Sequence, residues 1–156
     1  MNTKELILQQ FKACHNTNTW FVSLKTALEG LNYEQVSNKS ENSTNTILEI
    51  VNHLYFYNQL ELNRFKNLPD NSSVEDNNDT FNNVQETSWE ILVEQLLKTM
   101  THWENEIESC AEKNLEKSID SLTYINLHNA YHIGQILHIR KSLGLWDENK
   151  GIHYTF

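Results

Sequence analysis

His128 and His132 stand four residues apart in the stretch YINLHNAYHIGQILHIR, residues 124–140. On an α-helix each residue advances roughly 100°, so two imidazoles at this spacing point into the same space one turn apart. Helices hold a metal ion between two nitrogens in this way. The pair also has a plain reading, two histidines packed near a core. Tyr124, Tyr131, Gln135 and Ile139 share the face, which is therefore expected to point inward, and burying two unpaired imidazoles costs desolvation without return. A zincin protease is excluded, because that chemistry needs Glu directly after the first histidine and Asn129 stands there.

A pair gains meaning from a third ligand on a facing apolar helix. His53, within EIVNHLYFYNQL, is the best candidate, because Ile50, Val51, Leu54 and Tyr57 place its side near the core. His138 lies roughly 80–120° around the helix from the pair. His15 and His102 sit in more polar contexts and His153 in the tail, so these four are assigned surface or incidental roles. Three histidines without a fourth protein ligand describe an open zinc site of the catalytic type, whose vacant position takes water, a thiolate or a carbonyl oxygen. Glu49, one turn before His53, is a candidate base or a partner that orients an imidazole, with a solvent-facing helix residue as the alternative. Tyr131 and Gln135 are candidates for orienting the ligands.

Four segments with helical period must position these residues. The first runs over 3–29 and stops at Gly30, with the polar patch HNTNTW (15–20) able to bend or interrupt it. The second covers about 44–66, with Ser43 or Thr44 as its cap. The third, to about 112, opens with Thr87-Ser-Trp-Glu90, which reads as a capping box. The fourth is introduced by Ser118-Ile-Asp-Ser121 and ends at Leu143-Gly144. Between the second and third lies a loop over 67–86, rich in turn formers and holding the only proline. A loop of this length is functional or disordered. With four glycines and one proline in 156 residues, the chain is expected to be one all-α domain, 1–156, folded as a four-helix bundle.

A net charge of −9 without a basic stripe argues against nucleic acid and against anionic membrane surfaces as partners. Cys14 and Cys110 are too few for a disulfide framework and read as buried or partly exposed free thiols. No apolar run reaches the roughly 20 residues that span a bilayer, and MNTKELILQQFK lacks a signal peptide's apolar core. A cytoplasmic protein is expected. Trp20, Trp89, Trp103 and Trp146 are expected in the core or at an interface between copies.

The strings NHLYFYNQLELNRF, TSWEILVEQL, HNAYHIGQILHIRKSLGLW and WDENKG together resemble the DinB/YfiT-like superfamily of four-helix metalloproteins, in order and over nearly the whole chain. The fourth-helix string is the most specific part. The resemblance places the family's metal triad on His53, His128 and His132, the residues the face reading selects. It implies a divalent ion, often zinc or nickel, and a homodimer. For activity it implies a transferase using a low-molecular-weight thiol such as bacillithiol, mycothiol or glutathione, or a metal-dependent hydrolase. Three readings stay open: a thiol S-transferase acting on a small-molecule electrophile, a hydrolase whose nucleophile is metal-bound hydroxide, and a non-catalytic bundle that binds a metal or ligand.

Overall fold

Ile47, Ile50, Val51, Leu54 and Leu62 form one buried helical stripe, and Leu92, Leu96, Met100, Trp103 and Ile107 form another. With Ile7 and Phe11, and with Leu122, Ile125, Ile133, Ile136 and Ile139, they close one core. The structure, a computed structural model, describes residues 1–41, 43–69, 74–82 and 87–153. Among these are α1 (Thr3–His15), α2 (Leu24–Leu28), α3 (Tyr33–Ser37), α4 (Ile47–Phe65), α5 (Trp89–Ser109), α6 (Glu112–Lys117) and α7 (Ile119–Ser142). Short 3₁₀ turns cover Asn77–Phe81 and Glu148–Lys150, and no strand occurs among the described residues. The expected all-α bundle forms, with α1, α4, α5 and α7 as its four members. No helix among the described residues is long and apolar enough to cross a membrane.

α4 packs against α5 and α7, and α1 packs against the same two helices, so α1 lies diagonally across from α4. Gln59 meets Thr99 at 3.1 Å and Lys66 meets Glu106 at 3.1 Å. Partners that advance together in this way make α4 and α5 parallel. Consecutive parallel helices cannot be joined by a short turn. The 19 residues of α4 span roughly 28 Å, and the chain must return that distance before α5 begins, which accounts for the length of the connection. Of the expected 67–86 loop, residues 70–73 and 83–86 lie outside the described residues; Asn77–Phe81 packs against α4.

The expected helix over 3–29 divides into α1 and α2. Asn and Thr side chains compete for backbone groups: the Asn18 carbonyl oxygen accepts the Ser23 N–H at 2.9 Å and the Thr26 hydroxyl at 3.0 Å, and Ser23 then caps α2. Gly30 follows with φ 76°, the left-handed stop expected. α4 is capped by Thr46 rather than Ser43 or Thr44, and α5 by Ser88 rather than Thr87. The third expected helix stops at Ser109, where Cys110 turns extended, and α6 is a separate element. α7 ends as expected at Gly144, φ 69°, with the Leu145 N–H donating to the Arg140 carbonyl at 2.9 Å. The buried Arg140 guanidinium donates to the Ala27 and Glu29 carbonyls, both at 2.8 Å, and fastens α2 to α7. Trp89 and Trp103 are buried as expected, but Trp20 is 83% exposed: it lies in the polar segment that breaks the first helix.

Candidate metal centre

α4 and α7 run antiparallel, with His53 against His132 and Asn58 against Asn129. Asn58 and Asn129 are buried and exchange two side-chain hydrogen bonds, at 2.7 and 3.0 Å. This interlock sets the register one turn from the imidazoles. His53, His128 and His132 then converge so that one ligand atom of each lies within 4.8 Å of the other two. The Nε2 atoms of His53 and His128 are 2.9 Å apart, and the His132 ring centroid is 4.7 Å from His53 and 4.5 Å from His128.

Hydrogen-bond partners decide where the ring protons sit. Thr80 donates its hydroxyl to the Asn77 carbonyl at 2.6 Å, so its oxygen is left to accept from His53 Nδ1–H at 2.5 Å. Gln135 donates through Nε2 to the Tyr131 hydroxyl at 3.0 Å, which turns its Oε1 toward His132 Nδ1 at 2.7 Å. Both rings are thereby held as the Nδ1–H tautomer with the Nε2 lone pair turned into the cluster, where that of His53 accepts from His128 Nε2. Phe81 stacks on His53 at 4.1 Å, and Tyr57 approaches the same ring edge-on at 4.9 Å. His128 Nδ1 is buried without a hydrogen-bond partner among the described residues.

Burial pushes His53 down to about 3, with the neighbouring His132 and His128 adding to it. Burial and then His132 lower His128 to about 4. His132 is also lowered by burial, against the opposing effect of its Gln135 bond. All three imidazoles are neutral at pH 7, the form that ligates. Neutral imidazoles that converge, two of them in the right tautomer, fit a metal ion. They open into a cavity of about 780 Å³, whose walls include Tyr57, Asn77, Phe81, Glu61 and Tyr124.

A family model described as the DinB superfamily matches residues 19–136, well over half of the chain. The chain belongs to the DinB superfamily. Comparisons with curated proteins and with solved structures return no match. In this DinB-superfamily chain the matched region takes in all three histidines.

The structure brings His53, His128 and His132 together with Tyr131 and Gln135, and it places Glu49 elsewhere. The Glu49 carboxylate accepts the Thr46 N–H at 2.6 Å while the Thr46 hydroxyl accepts the Glu49 N–H at 3.1 Å, a capping box at the start of α4. Glu49 belongs neither to the imidazole cluster nor to the wall of this DinB cavity. The α7 face also needs correction: Tyr124 and Tyr131 are 68% and 64% exposed. They rim an open cavity rather than filling a core. His102, His138 and His153 are exposed as expected. His15 is not a surface residue; it is buried between α1 and α5, with Nδ1 2.5 Å from a Glu104 carboxylate oxygen. Thr80, Asn77 and Phe81 were not foreseen. The one available signal was Phe81, a lone aromatic in the polar run NNDTFNN.

Proposed function

We propose that this chain is a metal-dependent transferase that joins a low-molecular-weight thiol to a small electrophile. One observation carries the reading: three neutral imidazoles, two in fixed tautomers, at an open cavity with no carboxylate in their cluster among the described residues. Hydrolysis of an amide or ester would use water activated by the same cation and would gain from a base beside that water. Glu49 is engaged in its cap, and Glu61, which does line the cavity, is bonded to Arg64 at 2.6 Å. A thiol is far more acidic than water, so a divalent cation held by the imidazoles would keep it as the anion at neutral pH with less call on a base.

In the reaction the sulfur forms a bond to the electrophilic carbon as the bond to the leaving group breaks. The leaving group departs with the electron pair, and the thiol proton passes to solvent. The protein's part is to hold His53 through Thr80 and His132 through Gln135, and to shield the sulfur with Phe81 and Tyr57. Metal content is the first test: near one zinc or nickel per chain in the parent, and almost none in His132→Ala. Zinc-loaded protein is then supplied with glutathione, cysteine or bacillithiol and a chlorinated dinitrobenzene. Conjugate and chloride released together, with thiol and metal both required, support the reading. Ester or amide turnover without thiol, rising near neutral pH, replaces it with the hydrolase.

A further inference from the structure

A second cavity of about 430 Å³ adjoins the first, and Thr44, Asn45, Tyr131 and Gln135 line both. The pair that orients His132, Gln135 with its bond to Tyr131, is therefore also the partition between two lobes. The further lining of the second lobe is Ser43, Ile50, Gly134, His138 and Ile139. Ile50 and Ile139 are buried and form an apolar floor. No carboxylate, ammonium or guanidinium group is among these lining residues. An ionised group placed there would meet no fixed counter-charge, the one imidazole of the lining being that of His138.

Gly134 is the unusual member. It lies inside α7 at ordinary helical backbone, where glycine weakens a helix relative to alanine. No close approach demands it: a Cβ built there meets nothing within 4 Å. Gly134 is exposed at the edge of the second lobe, so its missing side chain leaves open space beside that lobe.

Resting on the transferase reading above, we infer that the second lobe seats the uncharged, mainly apolar body of the electrophile, while the thiol occupies the lobe of the imidazoles. Carboxylate-bearing thiols find no lysine or arginine in the second lobe, and its volume falls in the range that holds a small organic molecule. Tyr131 and Gln135, with Thr44 and Asn45, line both lobes and so set the two seats side by side.

The test replaces Gly134 with alanine and with leucine in the zinc-loaded full chain. Each variant is expected to melt no lower than the parent and to keep its zinc. KM for the chlorinated dinitrobenzene is expected to rise with side-chain size, by about tenfold or more in Gly134→Leu, with KM for glutathione unchanged. Independently of turnover, meta-dinitrobenzene, which has no leaving group, is expected to shift the His138 ring signals in NMR of the parent and to lose about tenfold in affinity in Gly134→Leu. Equal binding to parent and Gly134→Leu, or no binding to the parent, overturns the assignment of the second lobe. An inactive parent that still binds meta-dinitrobenzene with this Gly134 dependence overturns the transferase reading and leaves the lobe assigned.

Discussion

Thr80 does two things with one hydroxyl. Its proton goes to the Asn77 carbonyl, and its oxygen is thereby reserved for His53 Nδ1–H. Removing the hydroxyl frees His53 to take either tautomer and leaves a buried N–H unpaired. Thr80→Val is therefore expected to weaken zinc binding by about tenfold or more, read by competition with a chromophoric chelator, while Thr80→Ser restores it. Equal affinity in all three proteins would reduce Thr80 to a packing residue. Spacing and apolar neighbours alone were enough to select His53, His128 and His132, because a ligand pair on one helix is a local pattern. Thr80 was beyond reach: its partner is 27 residues away, and nothing local marks a threonine as an acceptor. Glu49 was misjudged for a smaller reason. Placing the α4 cap at Ser43 or Thr44 instead of Thr46 concealed the Thr46-x-x-Glu49 capping pattern and left a free carboxylate to interpret.

Between α4 and α7 the histidines are aligned by the Asn58–Asn129 interlock, whose polar groups pair out of water, with further bonds from Asn58 to the Leu54 carbonyl at 2.8 Å and from Asn129 to the Met100 sulfur at 4.0 Å. Asn129→Leu leaves the Asn58 amide buried without its partner and is expected to cost about 2 kcal/mol. The double replacement with Asn58→Leu is expected to cost less than the sum of the singles. Urea unfolding midpoints of the four proteins measure this, and strict additivity would deny the coupling. The apolar period marked all four long helices in the sequence, since burial of a stripe dictates it. The breaks were harder to read, because Asn18 ends one helix and starts another through side-chain bonds to Ser23 and Thr26. That α4 and α5 run parallel was not readable either, because direction is fixed by which faces pack together and not by either helix alone.

Across the folded molecule, the three buried imidazoles tie stability to pH. Unfolded, they take up protons near 6.5; folded, His53 and His128 resist until about 3 and 4. Between these values the unfolded chain binds more protons, so stability contributed by the neutral cluster is complete above pH 6.5 and is lost as pH falls toward 4. The melting temperature of chelator-treated protein is expected to fall over that window, and less steeply in His128→Leu. An unchanged slope in the variant would assign the acid sensitivity to other groups. Tyr124, Leu127 and Tyr131 stand 68%, 63% and 64% exposed along α7. Such an apolar row suits pairing of two copies, and light scattering is expected to give a dimer; a monomer at micromolar concentration would remove that expectation. One consequence concerns biosynthesis. His53 and His128 are 75 residues apart in the chain, and two of the three ligands ride on α7. A chain leaving the ribosome therefore carries His53 without its two partners until α7 has emerged, and the three imidazoles converge only when α7 has docked. An ion held by all three imidazoles could be loaded only after α7 has docked, and a fragment released before α7 would lack two of the three ligands.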